Sequence, residues 1–229
     1  MIQAIVTDIE GTTTSIAFVH DTLFPYARER MRTFLRARAA DSDVAEQIAA
    51  VVAESGCAAE PDAVADELLR WMDADRKATP LKALQGMIWA QGYADGSLQG
   101  HVYPDTAPWL RRWHERRLAL YVYSSGSVAA QKLIFGHSLD GDLTPLFSGY
   151  FDTRIGGKKD PEAYAAITRE LDRPAGAILF LSDVGAELDA AAAAGMQTCQ
   201  LLRDDTAVPA PAHVQAGSFA EVDERFRLS

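Results

Sequence analysis

Three short apolar runs constrain this chain more than any other feature. Gln3–Thr7, Leu118–Tyr123 (LALYVY) and Ala177–Leu181 (AILFL) each end abruptly in an acid or a hydroxyl: Asp8, then Ser124-Ser125, then Ser182-Asp183. A run of five or six apolar residues bounded by turn residues reads as a buried strand. Continuous rather than alternating apolarity implies cover on both faces, hence a parallel sheet. Gln197–Leu202 reads as a fourth strand and Tyr150–Asp152 as a short fifth. Helical stretches lie between them: Pro108–Arg117, Val128–Phe135, Pro161–Leu171, and the Ala-rich Glu187–Ala194 stopped by Gly195. Strand and helix alternate, so the expected class is α/β with a doubly wound parallel sheet. Ligands of such sheets bind beyond the carboxyl ends of the strands.

The stretch 16–100 breaks the alternation. It has helical periodicity and no convincing strand, with helices expected at Leu23–Arg38, Asp43–Ser55, Asp62–Arg76 and Leu81–Gln91, punctuated by Pro61, Pro80, Gly56, Gly92 and Gly96. An all-helical block of roughly 85 residues between the first two core strands reads as an inserted helical cap domain. The expected organisation is a core of 1–15 and 101–229 interrupted by the cap at 16–100.

Composition limits the partners. The chain has 229 residues, 22 Lys+Arg against 32 Asp+Glu, and a formal charge of −10. Phosphate backbones require clustered basic residues. Here the densest group, Arg111, Arg112, Arg116 and Arg117, is interleaved with Leu110 and Trp113 and reads as a solvated helix face, so nucleic acid is not expected. No apolar run approaches the roughly 18 residues of a membrane span, and the start, MIQAIVTDIEGTTT, has no signal-peptide pattern. A cytoplasmic, monomeric protein is expected. Cys57 and Cys199 show no metal-ligand spacing. The five histidines (His20, His101, His114, His137, His213) likewise form no ligand pattern and read as surface or structural.

Four features at strand ends or loops carry the chemistry. In Asp8-Ile9-Glu10-Gly11-Thr12-Thr13, two carboxylates leave a buried strand and Gly11 permits a sharp turn. Asp8 stands where a nucleophile or metal ligand belongs. A carboxylate attacking phosphorus splits one displacement into two, and Glu10 is placed for acid/base work. The competing reading is that both residues cap a turn. Ser124-Ser125-Gly126-Ser127 suits a phosphate, or a helix N-cap. Gly156-Gly157-Lys158-Lys159-Asp160-Pro161 offers a lysine to neutralise phosphate, or a solvated loop lysine. Ser182-Asp183-Val184-Gly185-Ala186-Glu187 follows AILFL, and Asp183 can complete an oxygen-rich Mg²⁺ site with Asp8, or cap the next helix. Together the four describe one site for Mg²⁺-assisted phosphoryl transfer on a small phosphorylated substrate.

Their order resembles the haloacid dehalogenase-like hydrolases over the whole chain, including an insertion after the first motif. Most phosphatases of that superfamily carry Asp two residues after the nucleophile. Here the position holds Glu10, within DIEGTTTSIAFV, and that string, with LKALQGMIWAQGY, YVYSSGSVAAQKLIFGHS and LFLSDVGAELDAA, resembles the enolase-phosphatases of methionine salvage. The resemblance implies Asp8 as nucleophile and Mg²⁺ ligand, and Glu10 as acid/base that also reaches the metal, through its backbone carbonyl. It implies Ser124, Ser125 and Lys158 as substrate-binding residues, Asp183 as a Mg²⁺ ligand, and Glu187 behind the metal. Lys158, three residues before Pro161, fits the family lysine better than Lys159. The implied reaction enolises 2,3-diketo-5-methylthiopentyl-1-phosphate and then hydrolyses the enol phosphate to an acireductone. An ordinary capped phosphatase and a phospho-accepting signalling module are the competing readings. In the insertion, Met87, Ile88, Trp89 and Tyr93 read first as core; with Phe18, Phe24, Lys82 and Gln85 they are also candidates to hold a methylthio group.

Overall fold

A computed structural model describes residues 1–203 and 207–228. Residues 204–206 and 229, within the core segment expected at 101–229, lie outside the described residues. The chain divides into two compact units, Met1–Ile16 with Gln99–Ser229, and Ala17–Leu98.

The first unit is built on a six-stranded sheet: β1 (Ala4–Thr7), β2 (Ala119–Tyr123), β3 (Gly149–Phe151), β4 (Ile178–Ser182), β5 (Gln197–Leu201) and β6 (Val214–Ala216). Every pairing is parallel and the order is β3-β2-β1-β4-β5-β6. The chain winds outward from β1 first one way and then the other, so the carboxyl end of β1 is the topological switch point where a crevice opens. Register fixes what stands there. Thr7 lies opposite Val122 on one side and Leu181 on the other, which brings Asp8 level with the ends of β2 and β4.

The second unit is all helical among its described residues. A helical turn, α1 (Ile16–Phe18), runs into a π-helical turn at Val19–Leu23 and on into α2 (Phe24–Arg38). Then follow α3 (Ser42–Ser55), α4 (Pro61–Asp73) and α5 (Thr79–Ala94). Pro61 and Pro80 sit in the first turns of α4 and α5, where the absent N–H costs nothing. Met31, Leu35, Val51, Val64, Leu68 and Leu84 form its core. Ile88 belongs to this core, Met87 and Trp89 pack partly buried against it, and Tyr93 is buried as well. The π turn leaves the Leu23 carbonyl able to accept the Trp89 indole N–H at 2.8 Å. Helix α4 ends earlier than its periodicity suggests. Asp75 takes a left-handed conformation (φ 48°), and the Arg76 N–H returns to the Trp71 carbonyl, closing the helix three residues before Arg76.

The first unit adds α6 (Thr106–Glu115), α7 (Val128–Gly136), α8 (Pro161–Leu171), α9 (Gly185–Ala193) and α10 (Phe219–Phe226). On one sheet face Ala4, Val6, Ile178 and Phe180 pack with Tyr164 and Ile167 of α8 and Leu188 and Ala191 of α9. Their alternate neighbours, Ile5, Leu179 and Leu181, are buried as well. Burial on both faces is why these strands read as unbroken apolar runs. Helix α10 packs on α6 through Phe219 and Trp113, ring centroids 4.9 Å apart. Asp223 of α10 accepts the Trp113 indole N–H at 3.0 Å and pairs with Arg116 at 2.6 Å. Arg116 is therefore half-buried and structural, unlike the solvated face expected of it. No described helix is long and apolar enough to cross a membrane. Cys57 and Cys199 are both free, and burial pushes the Cys199 thiol up to about 12.

Candidate active site

Asp8 leaves β1 with its N–H donating to the Leu181 carbonyl at 2.8 Å, which extends the β1–β4 ladder one step past the strand. The chain then turns tightly. The N–H groups of Thr12, Thr13 and Thr14 all point back to the Ile9 carbonyl, and the Gly11 N–H bonds the Thr14 carbonyl at 2.8 Å. The Thr13 hydroxyl donates to the Asp8 carbonyl at 3.3 Å and the Ile9 carbonyl at 3.2 Å. Gly11 holds φ +69°. A Cβ there would lie 2.3 Å from an Asp183 carboxylate oxygen, so the Asp183 side chain occupies the space that glycine leaves open.

Asp8 is 4% exposed, and its carboxylate accepts the Lys158 ammonium at 2.6 Å. Lys158, its side chain 9% exposed, also pairs with Glu187 at 2.7 Å. Glu187 stands in the first turn of α9 and takes a second bond from the Ser182 hydroxyl at 3.0 Å. The lysine's own backbone is tied down from below. Tyr164 donates its hydroxyl to the Lys158 carbonyl at 2.7 Å and Tyr123 donates to the Gly156 carbonyl at 2.9 Å. Asp160 caps α8 by accepting the Glu162 N–H, with Pro161 as the first helical residue. Lys159 is exposed.

Burial alone would lower the Lys158 pKa, but the Asp8 and Glu187 charges overcome it and hold the ammonium above the ordinary lysine value. Burial, and next the charge of Asp8, push the Asp183 carboxyl up to about 7. Burial and Asp8 also raise Glu187, with Lys158 opposing. Three carboxylates thus crowd one lysine.

Ser124 is buried at the end of β2, its N–H on the Phe151 carbonyl at 3.2 Å and its hydroxyl accepting the Gly126 N–H at 3.1 Å. Ser125 is exposed, and Ser127 caps α7 by accepting the Ala130 N–H. Gln131 fixes this loop from beneath, donating to the Gly126 and Phe151 carbonyls at 2.8 Å each. Glu10 is half-buried, its backbone bridged to Thr14.

Among the described residues, no three or more His, Cys, Asp or Glu side chains gather as a metal cage. The Asp8 carboxylate and the Asp183 carboxyl, which the Asp8 charge helps to raise, nevertheless offer only oxygen donors at adjoining loops. That chemistry fits a hard divalent cation better than a soft one.

The structure therefore brings Asp8, Lys158 and Asp183 together and sets Ser124 at the neighbouring strand end. Glu187, expected behind a metal, is in direct contact with Lys158. It stands in the first turn of α9, and no local sequence signal pairs it with Lys158. Gln131, Gln200 and Arg203 carried no sequence signal that set them apart from ordinary polar residues.

The haloacid dehalogenase-like hydrolase family matches residues 2–195 of this chain. The chain belongs to the haloacid dehalogenase-like hydrolases. It is 56% identical over 222 residues to "Enolase-phosphatase E1" of Hahella chejuensis, covering 96% of this chain and 95% of that one. The Pseudomonas aeruginosa protein of the same name is also 56% identical, covering 96% and 98%. Among solved structures, the UTR4 protein of Saccharomyces cerevisiae superposes with a TM-score of 0.81 at 32% identity, covering 96% of this chain and 99% of that one. The L-2-haloacid dehalogenase of Xanthobacter autotrophicus, 17% identical with a TM-score of 0.56, shares the fold.

Proposed function

We propose that this hydrolase is an enolase-phosphatase, acting on 2,3-diketo-5-methylthiopentyl-1-phosphate and releasing an acireductone and phosphate. Relatives 54–57% identical over most of the chain carry the enzyme's name. The observation that carries the chemistry is the Asp8–Lys158 pair at the switch point, with Asp183 seated over Gly11.

Asp8 attacks phosphorus through a carboxylate oxygen, and the ester P–O bond breaks as Glu10 delivers a proton to the leaving enol oxygen. Glu10, now a base, takes a proton from water as that water attacks phosphorus, and the Asp8–phosphorus bond breaks to release phosphate. Lys158 offsets charge on the phosphoryl oxygens and on Asp8, so an anionic ester enters a chain of net charge −10. Ser124 and Ser125 bind the substrate. Asp8, Asp183 and the Glu10 carbonyl would hold Mg²⁺, which supplies Lewis-acid polarisation of a substrate oxygen. For the enolisation, Glu10 or a water takes the proton from the carbon beside the carbonyl, the C–H pair forms the C=C bond, and the former carbonyl oxygen takes up a proton from solvent to become the enol. The helical insertion 16–100 is read as a cap domain. The reading extends to a monomer acting in the cytoplasm.

The test mixes enzyme, Mg²⁺ and the diketo phosphate and follows enol absorbance together with phosphate release. An enol that forms first and decays as phosphate appears supports the reading. Phosphate release with no enol leaves a simple phosphatase, and no release ends both.

A further inference from the structure

Two residues at the carboxyl end of β5 belong to none of the four motifs yet reach both acidic loops. Gln200 is fully buried. Its amide nitrogen donates to the Asp183 carbonyl and the Val208 carbonyl, 2.8 Å each, and its oxygen accepts the Ala210 N–H at 2.7 Å and the Gln215 amide at 3.3 Å. Two carbonyls face the nitrogen and two donors face the oxygen, so one orientation of the amide satisfies the site and the flipped one does not.

Arg203, two residues past β5, has a side chain 5% exposed. Its Nε donates to the Thr12 carbonyl at 3.1 Å, inside the turn that follows Asp8. Its Nη1 meets both oxygens of Asp105 at 2.8 Å. The guanidinium also lies between two rings, 4.8 Å from the Tyr103 centroid and 4.6 Å from that of Phe219. Asp105 in turn accepts the Phe219 N–H at 2.8 Å, and the Tyr103 N–H bonds the Thr13 carbonyl at 2.9 Å. The Thr12–Thr13 backbone is therefore gripped through an arginine that is itself fixed on three sides.

β5 is not a neighbour of β1; β4 lies between them. We propose that Gln200 and Arg203 are positioning residues that set the Asp183 loop and the Asp8 turn in one frame, so that β5 fixes the relation between the two carboxylates. The inference rests on the reading of Asp8 and Asp183 given above. The tolerance is small, because Asp183 sits in the space where a Cβ on Gly11 would stand. A displacement of about 1 Å in such a constellation costs on the order of a hundredfold in rate. Outer residues that orient the groups touching substrate or metal are typically worth about 10–100-fold.

The experiment compares Gln200→Leu, Arg203→Met and Arg203→Lys with the wild type, in steady-state kinetics on the diketo phosphate and in amide hydrogen exchange. The expected result is a kcat lowered about tenfold or more with KM close to the wild-type value. Exchange should quicken in 9–14 for both Arg203 variants and in 183–188 for Gln200→Leu, while β1 and β4 keep their protection. Arg203→Lys, which keeps the charge and loses the fork, should resemble Arg203→Met in kcat. Variants that melt lower but turn over at the wild-type kcat, with local exchange unchanged, would overturn the proposal and leave only a structural role. If one variant fails to fold, Arg203→Lys decides. If the wild type releases no phosphate, the functional reading fails, and the exchange measurements still decide whether these residues fix the two loops.

Discussion

The Lys158 ammonium stands 2.6 Å from Asp8 and joins it to Glu187 on the far side, forming a buried carboxylate–lysine–carboxylate bridge across three loops. Asp8 follows β1, Lys158 lies in the loop between β3 and α8, and Glu187 stands in the first turn of α9, after β4.

Lys158→Met removes the one cation of this bridge and leaves two buried carboxylates facing each other. Breaking a buried pair by deleting one partner costs about 3–5 kcal/mol, and losing a preorganised donor to the phosphoryl oxygens costs about 10²–10³ in kcat. Chemical denaturation and phosphate release on the same preparation should show both losses. Lys159→Met, on an exposed neighbour, should leave stability and rate near wild type. Equal effects at the two positions would contradict the assignment.

Gly11→Ala should separate stability from catalysis. A Cβ at φ +69° strains the backbone by about 1–2 kcal/mol. The same Cβ displaces the Asp183 carboxylate, so kcat should fall by about a hundredfold, well beyond what the fall in melting temperature accounts for. A variant with unaltered turnover would show that Asp183 need not lie over Gly11.

His101 sets a stability dependence on the acid side. Its Nδ1 accepts the Ser15 N–H at 3.3 Å and lies 2.7 Å from the Thr14 hydroxyl, with Tyr103 edge-on to the ring. Burial lowers its pKa below the ordinary 6.5. The folded state therefore binds fewer protons than the unfolded state as pH drops through this range. The contribution is complete above the unfolded pKa and is lost as pH falls toward the depressed folded value. Melting temperatures from pH 7.5 to 5 should decline less steeply in His101→Gln than in wild type. Parallel slopes would exclude His101 as the source.

Legibility in the sequence followed burial. β1, β2 and β4 announced themselves because their residues are mostly apolar and, in β1 and β4, buried on both faces. β6 and α10 did not: Val214 is exposed on an edge strand of three residues, and α10 alternates charges with a narrow apolar face. Asp8, Ser124 and Asp183 were visible because strand ends expose chemistry in fixed places. The Lys158–Glu187 contact was not, since it depends on how α9 starts after Val184, and nothing local states which carboxylate a lysine will meet. Arg203 carried no signal in the sequence. Its burial comes from Tyr103, Asp105 and Phe219, about 100 residues earlier and 16 later in the chain, which only the folded sheet assembles.

Attack of Asp8 on phosphorus leaves a trappable acyl phosphate. Quenching a steady-state mixture of enzyme, Mg²⁺ and the diketo phosphate with borohydride reduces an aspartyl phosphate to the corresponding alcohol, and peptide mass analysis locates it. Reduction is expected at Asp8, dependent on substrate and absent in Asp8→Asn. Reduction at Glu10, or phosphate release with no reducible carboxyl phosphate at all, would contradict attack by Asp8.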